Sequence, residues 1–359
     1  MKLIIYQAEC GDAARIEYQG SDGRLHHIFI DSGFERTFRN ALATDIRSIV
    51  KTTGCIDLWL ISHIHDDHIG GAIAYLKNVK KGLVPDIVHS WAYNPPRGNM
   101  KNSISLTGEV STAKSVVQGD QLANYLFATR ARVHKEVTTS TGLLNIHGLE
   151  ITFLSPDDNA LAALRKKYAP ELYRPFEREE DFVVSAAKAA VNNDYATRLN
   201  DFELNSHIED NSIENGSSIS VLTNLNGKQI LWLADAHSSL VVRSLQALGY
   251  TIAHPLVCDW VKLSHHGSSA NNLLPLFEIV RCNNYLISSN GENKHRLPNK
   301  ECIARILRNP YRTTEKYHLH FTYDNPTLRG IFSADGPEIF DELNFEAHYF
   351  SMPSTSIEC

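Results

Sequence analysis

Six consecutive residues, His63-Ile64-His65-Asp66-Asp67-His68, bring three imidazoles and neighbouring carboxylates together at the end of an apolar run, Ile56 to Ile61. Neutral imidazole nitrogen and carboxylate oxygen suit zinc, manganese or iron near neutral pH. A tight turn here aims alternate side chains at one centre and the next pair at a neighbouring one. Gly70-Gly71 then lets the backbone turn and opens the next helix. The pattern predicts metal binding.

Other chemistry-bearing residues also end apolar runs. Asp31 closes Phe29-Ile30-Asp31-Ser32-Gly33, and Asp235 follows Leu231-Trp232-Leu233-Ala234. His265-His266-Gly267-Ser268 ends the run from Val257, and His295 follows Ile287-Ser288-Ser289-Asn290-Gly291. Each has an ordinary alternative. Asp31 suits a strand-end turn, Asp235 a helix cap, and His295 a plain loop.

The H-x-H-x-D-H pattern after an apolar strand resembles the signature of the metallo-β-lactamase superfamily. The resemblance implies an αβ/βα four-layer sandwich of two mixed β-sheets flanked by helices, with the site at the sheets' shared edge. It implies that His63 and His65 bind one divalent cation, that Asp67 and His68 bind a second, and that Asp235 bridges both. Ala234 stands where the family usually has glycine. Asp31 resembles the Asp that orients a ligand from behind. Asp66 fills a variable position and is expected to be solvated or hydrogen-bonded.

His265-His266-Gly267-Ser268, preceded by Lys262-Leu263-Ser264, resembles the branch around the C-terminal domain of the DNA-uptake protein ComEC. One histidine, preferably His266, completes the second cation site. The other, His265, faces substrate as acid or oxyanion donor. His295-Arg296-Leu297-Pro298 resembles a later segment of that branch but lacks its second histidine, leaving His295 as a candidate substrate contact. Asn215-Gly216-Ser217-Ser218 matches a hairpin lead-in and is read as structural. One family histidine is missing, since the strand Ile87 to Tyr93 ends in Asn94. Asn94 or His89 is the candidate replacement.

The implied activity is hydrolysis by hydroxide held between two cations, zinc or manganese, with magnesium a further option. Asp67, His265 and His295 are the candidate catalytic residues. The branch points to phosphodiester or phosphomonoester bonds of nucleic acid or nucleotides, so to a nuclease or phosphodiesterase. The rivals are a lactone, amide or thioester hydrolase acting on small molecules, and a binding or scaffold module with a degenerate site.

These residues need a scaffold of strands ending together. Leu3 to Gln7, Ala13 to Tyr18 and Leu25 to Asp31 read as an antiparallel meander. A helix over 37–52 precedes the buried strand Ile56 to Ile61. A loop spans Asn94 to Thr107, and a helix spans 109–130. Leu143 to Ile146 and Leu149 to Leu154 form a hairpin, as do Ser217 to Thr223 and Gln229 to Ala234. Helices follow at 238–248, near 271–281 and from Pro298, separated by the strands Val257 to Ser264 and Tyr285 to Ser288. The chain reads as one domain over 1–359. Residues 157–215, with a helix near 180–192, read as an insertion or lid, and 311–359 as a β-rich extension.

Composition is that of an ordinary globular chain, with 43% apolar residues over 359 positions. A net charge of −6 without like-charge blocks argues against tight nonspecific duplex binding. Six cysteines at wide spacings form no Cys-x-x-Cys and predict free thiols. No apolar run approaches the roughly 18 residues of a membrane span. A cytoplasmic protein is expected.

Overall fold

The computed structural model describes the chain except Thr53, residues 99–113, Lys135, residues 170–192 and residues 206–207. Most of the expected 94–107 loop, the start of the 109–130 helix, and the helix near 180–192 lie outside the described residues.

The first half supplies β1 (Lys2–Tyr6), β2 (Ala13–Gln19), β3 (Leu25–Asp31), β4 (Leu58–Leu60), β5 (Ser90–Ala92) and β6 (Arg132–His134). The second supplies β7 (Leu143–Ile146), β8 (Leu149–Ser155), β9 (Ser220–Leu225), β10 (Lys228–Trp232), β11 (Leu256–Val257), β12 (Trp260–Lys262), β13 (Val280–Arg281) and β14 (Asn284–Ile287). The tail adds β15 (Tyr317–Phe321), β16 (Phe345–Tyr349) and β17 (Ser354–Glu358). Among the described residues, seven strands form one mixed sheet, ordered β17-β1-β2-β3-β4-β5-β6. Eight form the other, ordered β16-β15-β14-β12-β10-β9-β8-β7. Strands of the tail are thus built into both sheets.

Successive strand residues point to opposite faces, and that period sorts the core into layers. Ile5, Ile16, Ile30 and Leu60 of the first sheet meet Ile151, Val221, Trp232 and Leu286 of the second. The alternate residues Tyr6, Phe29, Trp59 and Trp91 turn outward beneath the helix Asp66–Lys80, packing with Ile69, Ile73 and Leu76. Trp59 and Trp91 stack at 5.1 Å across β4 and β5. On the far side Leu231, Val261, Tyr285 and Leu319 pack with the helices Ser238–Ala247, Leu274–Ile279 and Lys300–Leu307. The four layers, helices, sheet, sheet and helices, are those the resemblance implies.

Three local expectations change. The helix after the histidines begins at Asp66 and not at Gly70-Gly71, so Asp66, Asp67 and His68 lie in its first turn. The glycines serve close packing instead. A Cβ on Gly71 would collide with the Ser32 carbonyl, and one on Gly70 would crowd the Glu35 backbone. The helix expected over 37–52 starts at Glu35 and carries a π-helical segment, Phe38–Leu42. The strand expected from Val257 to Ser264 is split. β11 pairs with β13, and β12 enters the large sheet, because Cys258 bonds to Arg281 while Asp259 turns to Gln229.

Candidate metal centre

The site lies where strands of both sheets end. Ile219 N–H donates to the Ser62 carbonyl at 2.9 Å and ties the two sheets together there. Asp31 closes β3 with φ 54°, and Ala234 follows β10 with φ 47°. His265 and His266 follow β12 with φ 44° and 56°. Left-handed backbone at non-glycine residues is costly and persists where surrounding structure enforces it. At Ala234 a glycine would adopt this conformation without that cost.

Asp235 organises the cluster. Its Oδ1 lies 3.3 Å from His68 Nε2 and 3.7 Å from His266 Nε2. Its Oδ2 lies 3.7 Å from His63 Nε2 and 3.8 Å from His265 Nε2. Asp67 Oδ2 is 3.4 Å from His266 Nε2. His63, His65 and Asp235 offer ligand atoms within 4.8 Å of one another, as do Asp67, His68 and His266. The Asp235 carboxylate therefore divides one oxygen to each group of imidazoles.

The donor atoms fit divalent cations. Two ligands about 2.1 Å from one cation stand roughly 3.0–3.5 Å apart, close to these separations. His63 Nε2, His68 Nε2, His266 Nε2 and Asp235 Oδ1 are buried and have no hydrogen-bond partner among the described residues. Unpaired buried polar atoms are costly, and a shared cation removes that cost.

Positioning residues stand behind the ligands. Asp31 Oδ1 accepts from Ser62 N–H at 2.7 Å, and its Oδ2 lies 2.9 Å from His68 Nδ1. Fixing Nδ1 leaves Nε2 toward Asp235. His265 Nδ1 lies 2.9 Å from Asn271 Oδ1, whose amide nitrogen donates to Asp210 Oδ2 and the Asp235 carbonyl. With the Asn271 nitrogen committed, His265 Nδ1 is the donor, and Nε2 is the ring atom turned toward Asp235. Asn215 donates to Asp210 at 2.6 Å and braces the same network.

Charge follows this geometry. Burial, then neighbouring His68 and His65, pushes His63 well below the usual imidazole range. Burial likewise lowers His65. Burial opposes charging His266, but Asp235, Asp12 and Asp67 outweigh it and lift its imidazole to about 9. His68 is raised in the same way, burial yielding to Asp235, Asp31 and Asp67. The converging carboxylates demand positive charge, the electrostatic signature of a cation site.

Sequence reasoning missed Asp12, Asp210 and Asn271. Asp12 is fully buried, pairs with the equally buried Lys262, and sets Oδ1 3.4 Å from His266 Nδ1. Its one local signal is Gly11, where a Cβ would strike the Asp67 backbone.

Other expectations are corrected. His89 is exposed at the N-terminal end of β5, whereas the histidine cluster follows the C-terminal end of the parallel neighbour β4. It stands at the wrong end of the sheet to replace a ligand. Asn94 is buried, but its amide both donates to the Val137 carbonyl and accepts from Val137 N–H, each at 2.8 Å. It pins the chain after β6. His237, not Asp235, occupies the N-cap of the helix Ser238–Ala247. Asp66 accepts from Gln118 at 2.5 Å, toward the helix Lys114–Ala128. His295 is exposed as a residue, but its ring is partly enclosed and lies 6.4 Å from that of His265. That enclosure, then Lys294 and His265, pushes its imidazole down to about 4.

No family model and no curated protein matches this chain. Among solved structures, the metallo-β-lactamase fold protein YhfI from Bacillus subtilis is similar over 100% of both chains, at 10% identity and TM-score 0.43. Zn(2+)-bound PqqB from Methylobacterium extorquens is similar over 100% of both, at 9% identity and TM-score 0.45. CmlA, a diiron β-hydroxylase from Streptomyces venezuelae, is matched over 54% of its length by all of this chain, at 10% identity and TM-score 0.40. Likeness at this level says nothing of the chemistry of this chain. Among the described residues, no helix is long and apolar enough to cross a membrane.

Proposed function

We propose that this chain is a metal-dependent hydrolase of phosphodiester or phosphomonoester bonds in nucleic acid or nucleotides. The observation that carries the reading is the division of the Asp235 carboxylate between two groups of unpartnered imidazoles. His63, His65, Asp235 and His265 would hold one cation. Asp67, His68, His266 and the other Asp235 oxygen would hold the second. His265 then stands in for the histidine missing at Asn94, because its Nε2 faces the same Asp235 oxygen as His63.

Two such cations supply Lewis acidity, acidifying water and offsetting charge on ester oxygens. The chain's own residues orient and hold. Asp31 and Asp12 fix the rings of His68 and His266, and Asn271 fixes His265. The neutral His295 offers a hydrogen bond at the exposed rim, a contact for substrate and not a store of protons. The choice of a phosphoester rests on the resemblance of His265-His266-Gly267-Ser268 to the ComEC branch. Zinc or manganese suits the imidazole-rich donor set better than magnesium. Six free cysteines agree with a reducing, cytoplasmic setting.

The test is a panel of single-stranded DNA, duplex DNA, RNA, nucleotides, bis-p-nitrophenyl phosphate and a lactone, each with added zinc or manganese. Phosphoester turnover that disappears in Asp67→Ala and in Asp235→Ala is expected. Turnover surviving both changes, or confined to the lactone, overturns the reading.

A further inference from the structure

A second group of metal-competent side chains lies on the pair of strands β15 and β16, which form one edge of the eight-stranded sheet. The strands run parallel in register, with His318 opposite Glu346 and His320 opposite His348. Residues two apart share a face, so all four project on the same side. Their alternates Tyr317, Leu319 and Phe321 fill the core under the outer helices. The ladder therefore faces the gap between the sheets, where the His320 ring meets Trp260 at 4.6 Å.

Three atoms converge there. His318 Nδ1 lies 3.0 Å from His348 Nε2, and Glu346 Oε2 lies 3.8 Å from each. A triangle with those sides has a centre about 2.1 Å from every corner, the length of a zinc–imidazole or zinc–carboxylate bond. A bare histidine–histidine hydrogen bond would not require the carboxylate to be equidistant from both rings. Lys316 takes the other oxygen, Glu346 Oε1, at 2.8 Å and so directs Oε2 inward. His320 stacks on His348 at 4.6 Å and 16°, which restricts that ring, and its own Nε2 is buried without a hydrogen-bond partner among the described residues. Side-chain exposures of 32%, 49% and 38% for His318, Glu346 and His348 leave room for water as a fourth ligand.

We propose that His318, Glu346 and His348 form a separate site for one zinc-type divalent cation, which staples the edge strand β16 to β15. It shares no residue with the cluster around Asp235.

The test is zinc titration of the full chain, stripped by chelator, against a chromophoric competitor. Asp67→Ala/Asp235→Ala is expected to retain one zinc equivalent, and adding His348→Ala to remove it. His348→Ala alone should lower the wild-type stoichiometry by one while leaving any phosphoester turnover within about twofold. Glu346→Gln, which changes one atom and spares the fold, should weaken that equivalent by about tenfold or more. An unchanged stoichiometry and affinity in His348→Ala and Glu346→Gln, or no zinc on Asp67→Ala/Asp235→Ala, overturns the site. Loss of turnover in the wild type would bear on the proposed hydrolase and leave this count unaffected.

Discussion

Asp12 Oδ1 lies 3.4 Å from Nδ1 of His266, on the side of the ring away from Asp67. A residue near the start of the chain thus sets the orientation of a candidate ligand more than 250 positions later. Asp12→Asn is expected to weaken zinc binding at the centre by about 10–100-fold, the usual effect of losing a carboxylate behind a ligating histidine. Competition with a chromophoric chelator measures it. Wild-type affinity in the variant would show that Asp12 only serves Lys262.

Lys262 and Asp12 are both buried, at 1% and 0% side-chain exposure. Removing one partner strands the other charge in the core. Lys262→Met is expected to cost about 3–5 kcal/mol in urea unfolding. Lys262→Met/Asp12→Asn, which removes both charges, should recover most of that loss. A double variant as unstable as the single one would refute the pairing as the cause.

The two oxygens of Asp235 face different groups of imidazoles, whereas Asp67 belongs to one group alone, with His68 and His266. Asp235→Ala should therefore lower metal content by two equivalents relative to wild type, and Asp67→Ala by one. Elemental analysis after gel filtration decides between them. Equal losses would mean that Asp235 does not divide its oxygens between two cations.

His26 supplies a pH dependence away from the metal centre. Its Nδ1 and Nε2 each lie 2.9 Å from a carboxylate, Asp57 and Asp22. Burial opposes its charge, but the two carboxylates prevail and raise its imidazole above the usual range. A raised folded-state pKa gives stability that is fully present below the unfolded value of about 6.5 and is lost as pH climbs through the folded value. His26→Gln should therefore lose more stability at pH 5.5 than at pH 9, read from urea midpoints. The opposite ordering would refute this.

Contiguity decides how much of the site can be read from the sequence. His63 to His68 stand together after a buried strand, and Asp235 and His265-His266 repeat the pattern of an apolar run ending in a ligand type. Asp12, Asp210 and Asn271 are single polar residues whose partners are remote, so nothing local separates them from turn residues. Register excludes His89 as the replacement histidine, because β5 runs parallel to β4 and places it at the opposite end of the sheet. His265 was legible as a site residue, yet which oxygen it faces depends on the turn at φ 44°. The four layers are legible through the resemblance that the H-x-H-x-D-H pattern carries. The partners of β15, β16 and β17 are not, since a short strand carries no mark of its neighbour.

The pairing of β1 with β17, Lys2 opposite Glu358, joins the first strand of the described chain to its last. Such long-range pairing is slow, because loop closure must precede the contacts that reward it. Until β17 arrives, the edge of β1 is open to any passing strand. The cluster around Asp235 draws on both halves, so it too is complete only once the second half is made. During synthesis the nascent chain therefore carries an uncovered β1 edge and a half-built cluster of imidazoles at the same time.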